Sequence, residues 1–165
     1  MKTIAFFGHS QILNTNEIRK RILKTLKEII PQGYARLLIG CHGDFDNLAL
    51  STCVEFRNNY NQNIKINVVL TNLSYLNKTE FGYSKINFYK EINCDTFFYD
   101  IEKLHYKNRI IFSNKKMVED SDLIICYVDN NSYRSGAKKA VQYAIKQNKK
   151  IINLFEEKDK SFICF

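Results

Sequence analysis

Residues 40–46, with the sequence GCHGDFD, place a cysteine, a histidine and two aspartates in one short loop. These residue types permit zinc binding, nucleophilic catalysis by a Cys–His pair, or the cradling of a phosphate by backbone N–H groups. A second ligand pair at zinc-like spacing is missing, so we expect no metal site. Cys41 and His42 are adjacent in the sequence, so we expect their side chains to point apart.

The glycine spacing of this loop favours phosphate and ribose binding over metal or nucleophile chemistry. Gly40 and Gly43 allow a ligand to approach the backbone closely, and His42 adds a polar side chain. Asp46 comes just before a helical pattern, where it can cap the helix or accept a hydrogen bond from a ribose hydroxyl. The pattern is neither GxGxxG nor a P-loop.

A second loop, FFGHSQ, follows the first apolar run of the chain. Gly8 forms the turn, and His9 and Ser10 would supply hydrogen-bond donors to an anion. A plain strand-to-helix turn is the alternative interpretation.

A third loop, DNNSYRSGA, follows the most continuous apolar run. Arg134 supplies a cation, and Ser135 and Gly136 open a helix, so a helix N-terminus with an anion site is expected here. An Asn- and Ser-rich turn with a serine cap is the alternative.

Strand-like apolar runs alternate with helical patterns along nearly the whole chain. We predict strands at residues 2–8, 35–40, 64–73, 94–100, 122–128 and 149–155, and helices at 14–30, 46–60, 108–121 and 135–148. Residues 72–108 are the least regular segment, and residues 156–165 form a short C-terminal tail. His105, in the irregular segment, is interpreted as a surface residue.

This alternation predicts an α/β fold: a Rossmann-like, doubly wound, mainly parallel sheet with helices on both faces, in one domain over residues 1–165. Such sheets bind ligands outside the carboxyl ends of their strands, near the point where strand order reverses. These three loops and a fourth at residues 71–72 all leave predicted strands, so we expect them to form one site.

Composition narrows the classes of partner. The chain has 165 residues, a net charge of +8 and five cysteines without CxxC spacing. No apolar run is long enough to span a membrane and no signal peptide is evident, so we expect a reduced cytoplasmic protein. The lysines are spread over several helix faces, which favours an anionic small ligand over a nucleic acid. The sequence leaves the oligomeric state open, with a homodimer as one alternative.

Four segments resemble the SLOG superfamily, in particular its bacterial YpsA-like members. They are IAFFGHS, GYARLLIGCHGDFDNLALSTCVEFRNNY, NKKMVEDSDLIICYVDN and SGAKKAVQYAIKQNKKIINLF, in this order. The resemblance implies a pocket for a nucleotide or nucleotide-derived ligand, such as an ADP-ribose-type molecule or a sugar phosphate. Asn114 and Lys115 match part of a basic R-N-R element, whose first arginine is replaced here by Ser113.

The same resemblance includes the lonely-guy phosphoribohydrolases and the DNA-processing protein DprA. The hydrolases carry a glutamate one turn into the helix after a PGGxGT-like loop, whereas this chain has Ala137 and Ala140 where Thr and Glu are expected. Without that carboxylate, we expect binding or sensing of a nucleotide-derived ligand, with no resident cofactor and no assigned catalytic residue. Hydrolysis of an N-glycosidic bond is the first alternative, with Asp44, Asp46 or Asp129 as substitutes. A nucleic-acid-associated role is the second.

Overall fold

A computed structural model describes residues 1–72, 74, 85–131 and 135–156. Six parallel strands form one sheet in the order β4-β3-β2-β1-β5-β6. They are β1 (Lys2–Gly8), β2 (Ala35–Ile39), β3 (Ile64–Val69), β4 (Asp95–Phe97), β5 (Leu123–Tyr127) and β6 (Lys150–Asn153). The chain moves outward from β1 to β4 and then crosses to the other side of β1. The predicted α/β, parallel, Rossmann-like fold is therefore confirmed, with its reversal point between β1 and β5.

Within the part of the chain that the structure describes, five helices cover the two faces of this sheet. They are α1 (Thr15–Ile29), α2 (Asp44–Asn59), α3 (Lys85–Glu91), α4 (Tyr106–Asp120) and α5 (Gly136–Lys146). They range from seven to sixteen residues in length. No helix within the described ranges is both long and apolar enough to cross a membrane.

The alternation of side chains along each strand divides the core into two layers. Ile4 and Phe6 of β1 pack on the face covered by α1, α2 and α3. Ala5 and Phe7, the intervening residues, pack on the face covered by α4 and α5. Because both faces are covered, the central strands are apolar at nearly every position, which is the pattern that identified them in the sequence.

The structure departs from the sequence prediction at three helices. The region predicted to be irregular contains α3, whose seven residues bury only Tyr89 and so give little periodicity. Helix α4 begins at Tyr106, two residues earlier than predicted, because exposed His105 is its N-cap and accepts a hydrogen bond from the Lys107 N–H. Helix α2 begins at Asp44, so Asp46 lies in its first turn instead of before it.

Gly8 and Phe45 form the contact that joins the ends of β1 and β2. The Phe45 ring is fully buried and lies where a β-carbon on Gly8 would be. It also stacks on Tyr127 of β5, with ring centroids 6.0 Å apart and an interplanar angle of 11°. A backbone hydrogen bond of 2.9 Å from Asp44 N to Ser10 O reinforces the junction. The loops that follow β1 and β2 are thus packed directly on each other.

We expect the variant Gly8→Ala to lower the free energy of unfolding by about 2 kcal/mol, since the added methyl group must displace a buried aromatic ring. Urea denaturation measures the change. Gly136→Ala is the matched control, because a β-carbon there meets no atom within 4 Å in the described part of the chain. Equal stabilities for the two variants would contradict the proposed packing.

Candidate functional site

A cavity of about 140 Å³ opens at the carboxyl ends of the strands, beside the reversal point between β1 and β5. Its walls come from the ends of β1 and β2, the first turn of α2, one face of α4 and the start of α5. The described residues that line it are Phe6, Phe7, Gly8, Ser10, Gly40, His42, Gly43, Asp46, Ile110, Asn114, Met117, Ser135, Gly136 and Ala137. Segments far apart in the sequence therefore meet at the place where this class of sheet binds ligands.

Most of the residues predicted from the sequence to bind a ligand lie on this cavity. They are Gly8, Ser10, Gly40, His42, Gly43, Asp46, Asn114, Ser135 and Gly136. His9 and Lys115 lie elsewhere, as described below. Arg134 falls outside the described residues.

Asp46 turns back over the loop that precedes its own helix. Its Oδ2 accepts hydrogen bonds from the N–H groups of His42 at 2.9 Å and Gly43 at 3.4 Å. The same oxygen would lie 2.8 Å from a β-carbon on Gly40, so glycine is required there for this close approach. The loop had been predicted to bind a phosphate through its backbone N–H groups. Two of these, from His42 and Gly43, instead donate to the Asp46 carboxylate. Asp46 therefore caps α2 from within the first turn of the helix. The sequence prediction had placed Asp46 just before the helix.

Burial raises the pKa of Asp46, while the hydrogen bonds from the His42 and Gly43 N–H groups lower it by a smaller amount. Among its described contacts, only Oδ2 accepts these hydrogen bonds. Asp46 also lines the cavity, so its carboxyl group can accept a hydrogen bond from a hydroxyl group of a ligand.

The start of α5 forms the opposite wall. Ser135 is the N-cap, and its Oγ accepts a hydrogen bond from the Lys138 N–H at 3.1 Å. Gly136 and Ala137, the first two helical residues, line the cavity. N–H groups in the first turn of a helix have no acceptor within the helix, and the helix dipole adds a partial positive charge. This wall suits an anion.

The two walls of the cavity therefore differ in charge, with the Asp46 carboxyl group on one and the N-terminus of α5 on the other. Asp46 is the only acidic or basic side chain among its described lining residues apart from His42. Strand β1 lies between β2 and β5, so the carboxylate after β2 and the helix start after β5 lie on opposite sides of the end of β1. An anion is repelled from the Asp46 side and stabilised at α5, whereas a hydroxyl-bearing group is suited to Asp46.

His9 joins two loops from a position behind the cavity wall. Its side chain is buried, and its Nε2 accepts a hydrogen bond of 2.9 Å from the Asp129 N–H. The backbone N–H of His9 donates to Tyr127 O at 3.3 Å. Burial lowers the pKa of His9 most strongly; nearby Asp129 raises it and Lys138 lowers it further. The neutral ring thus fixes the ends of β1 and β5 beside each other.

The side chains of Cys41 and His42 approach each other, and the prediction that they point apart is wrong. Cys41 Sγ lies 3.9 Å from His42 Nε2, which in turn lies 2.5 Å from Thr71 Oγ1. The thiol itself faces Val69 O at 3.5 Å, and burial raises its pKa to about 11. A thiol with this pKa stays protonated at neutral pH, so the pair lacks a thiolate nucleophile. Partial burial also lowers the pKa of His42.

Helix α4 presents neighbouring residues to different surroundings. Asn114 lines the cavity, while Lys115 lies on an outer groove between α4 and α5. Ser113 is fully buried, and its hydroxyl has no hydrogen-bond partner within the described ranges. The element that resembled R-N-R therefore places one polar residue at the cavity and no cation there.

Across residues 1–72, 74, 85–131 and 135–156, no group of three or more His, Cys, Asp or Glu side chains is arranged to hold a metal ion. Sequence reasoning missed the apolar part of the cavity, formed by Ile110, Met117 and Ala137, and the supporting role of the Phe45 ring. The seven-residue spacing of Ile110 and Met117 on one helix face was the available signal.

We expect His9 to make the protein less stable as the pH falls below 6.5. Its pKa is lower in the folded protein than in the unfolded chain, so the unfolded chain takes up the proton first, and stability is lost until the pH reaches the folded pKa. The slope is at most about 1.4 kcal/mol per pH unit.

His9→Gln keeps an acceptor for the Asp129 N–H but does not titrate. Urea denaturation of both proteins between pH 7.5 and about pH 5 isolates the contribution of His9 as a difference, since all other groups are shared. Parallel stability profiles for the two proteins would show that His9 carries no such pH dependence.

Comparison with known proteins identifies no family for this chain. A scan against protein-family models returned no match, and a search of curated proteins returned no significant relative.

Proposed function

We propose that this protein binds or senses a nucleotide or nucleotide-derived ligand in the cavity beside β1 and β5. The observation that carries the proposal is the division of one cavity into a helix N-terminus on one side and a partly buried carboxylate on the other. A phosphate attached to a ribose has the matching pair of groups: an anion and adjacent hydroxyls.

The ligand would be oriented by these two walls. Its phosphate accepts hydrogen bonds from the N–H groups of Gly136 and Ala137, where the dipole of α5 favours negative charge. Its ribose hydroxyls donate to the Asp46 carboxyl group, which the capping hydrogen bonds of Oδ2 hold in place. Asn114 offers an amide between the two walls. The net charge of +8 raises the local concentration of anionic ligands.

Binding is favoured over N-glycosidic hydrolysis by the side chains on α5. Ala137 lines the cavity and Ala140 is buried, so this helix presents no carboxylate to a developing oxocarbenium ion. Asp129 and Asp44 are not among the described residues that line the cavity, which leaves Asp46 as the acid that hydrolysis would require. Release of free adenine from AMP, lost in Asp46→Asn, would favour the hydrolytic alternative.

We expect Gly136→Ala to weaken binding of both inorganic phosphate and ribose 5-phosphate by about tenfold, because a methyl group at the helix start obstructs approach to the N–H groups. The protein itself accommodates the methyl group, since a β-carbon at Gly136 meets no described atom within 4 Å. NMR titrations measure the affinities, and thermal unfolding without ligand verifies the fold. Undiminished phosphate binding by the variant would refute the role of α5.

We expect Asp46→Asn to weaken binding of ribose 5-phosphate but not binding of inorganic phosphate. Ribose 5-phosphate should bind about tenfold more weakly, because a charge-assisted hydrogen bond to a ribose hydroxyl is lost. Inorganic phosphate should bind equally well or more tightly, because a negative charge leaves the cavity. The same titrations apply, and equal losses for both ligands would indicate a collapsed site instead of a lost ribose contact.

A further inference from the structure

Two buried thiols, those of Cys53 and Cys94, belong to the core layer covered by α1, α2 and α3. Cys53 is fully buried in the middle of α2, and Cys94 is 3% exposed in the turn between α3 and β4. Asp95 pairs with Asn67 of β3, so Cys94, one residue earlier, enters this layer at the level of Ile66. The two cysteines are thus carried by chain segments that pack in the same layer.

Arg57 joins the helix that carries Cys53 to the turn that carries Cys94. It lies four residues after Cys53, on the same face of α2. Its Nη1 donates a hydrogen bond of 2.6 Å to Asn93 O, and its Nη2 donates one of 2.8 Å to Ile92 O. The Cys94 thiol donates to the same Ile92 carbonyl at 3.6 Å. One guanidinium group therefore holds the turn with Cys94 against the face of α2 that carries Cys53.

The two thiols lie close enough for one to influence the ionisation of the other. Burial raises the pKa of Cys53, the neighbouring Cys94 raises it further, and Arg57 lowers it. Burial also raises the pKa of Cys94, while the charge of the Arg57 guanidinium and a hydrogen bond from it lower that pKa. Both cysteines therefore share one cationic neighbour, which stabilises a thiolate on either of them.

A surface depression of about 330 Å³ adjoins the turn that carries Cys94. Asn93 and Asp95, the two residues that flank Cys94, line it and are exposed. Arg57 and Lys65 also line it, so it offers two cations to an anionic small molecule. The depression lies at the amino ends of β3 and β4, at the opposite edge of the sheet from the cavity. It provides an approach to the Cys94 side of the pair.

We propose that Cys53 and Cys94 form a reversible disulfide when the protein meets a small anionic disulfide such as glutathione disulfide. The Cys94 thiol, which is nearer to the surface, loses its proton and attacks one sulfur atom of the oxidant. The S–S bond of the oxidant breaks, and one glutathione leaves and takes up a proton. Cys53 then loses its proton and attacks Sγ of Cys94, which releases the second glutathione.

The net reaction oxidises two protein thiols and reduces one glutathione disulfide to two glutathione molecules. In a reducing compartment such a bond is transient and reports oxidation, in contrast to the permanent disulfides of secreted proteins. The bond would covalently link α2 to the turn before the edge strand β4. The inference is independent of the ligand proposed for the cavity.

The experiment exposes the folded, unmodified protein to glutathione disulfide at about pH 8, where the thiolate fraction is larger than at neutral pH. Remaining thiols are then alkylated, and mass spectrometry of tryptic peptides maps the disulfides. We expect peptide 37–57 to be joined to peptide 91–103 through Cys53 and Cys94, and an excess of reduced dithiothreitol to separate them. Fragment ions distinguish Cys53 from Cys41, which lies in the same peptide.

Two variants test the order of the steps. Cys53→Ala should stop at the mixed disulfide between Cys94 and glutathione, because the second thiol is missing. Cys94→Ala should leave Cys53 unmodified, because Cys53 is fully buried. Cys126→Ala is the matched control, since Cys126 is equally buried but lies in the other core layer, and it should form the cross-link as the unmodified protein does.

Thermal unfolding of each reduced variant verifies the fold. The inference is overturned if the folded, unmodified protein forms no bond between Cys53 and Cys94, or if Cys94 pairs with a different cysteine. It is also overturned if the unmodified protein accumulates only the mixed disulfide of Cys94 with glutathione.

Discussion

The packing of Phe45 against Gly8 is the constraint on which the site depends. A buried aromatic ring occupies the space above a residue without a β-carbon, and the same ring stacks on Tyr127 of β5. One side chain from the first turn of α2 thereby contacts the ends of two neighbouring strands. Because this interior is closely packed, the loop after β2 cannot move without disturbing β1 and β5. The cavity inherits its shape from that arrangement.

Asp46 then gives the cavity its polarity. A carboxylate in the first turn of a helix is favoured by the dipole and by the two N–H groups that it accepts from, and these interactions offset part of the cost of its burial. Occupation of those N–H groups by an internal carboxylate moves the favourable site for an external anion to α5. His9, which does not line the cavity, accepts a hydrogen bond from the Asp129 N–H and so links the ends of β1 and β5. Structural side chains and cavity-lining side chains are thus interleaved along the same loops.

Several site residues were predictable because their positions follow from topology. Parallel strands place all their carboxyl ends at one edge, so Gly8, Gly40 and Ser135 were expected to meet, and they line one cavity. The roles of individual side chains were less predictable. His9 and Ser10 are adjacent polar residues in one loop, yet one is buried against Asp129 and the other lines the cavity. Adjacent residues diverge in this way when the backbone turns between them, and residue type does not encode that turn.

The sequence alone determined the fold class, the number of central strands and the edge of the sheet where polar loops gather, because apolar periodicity and strand–helix alternation are local properties of the chain. It could not show that Cys41 approaches His42, that Asp46 binds the N–H groups of its own loop, or that α4 and α5 enclose a groove. Each of these depends on the distance between backbone segments, and such distances are set by side-chain packing across the whole core. The tertiary structure therefore decided which polar groups are already satisfied within the protein and which remain available to a ligand.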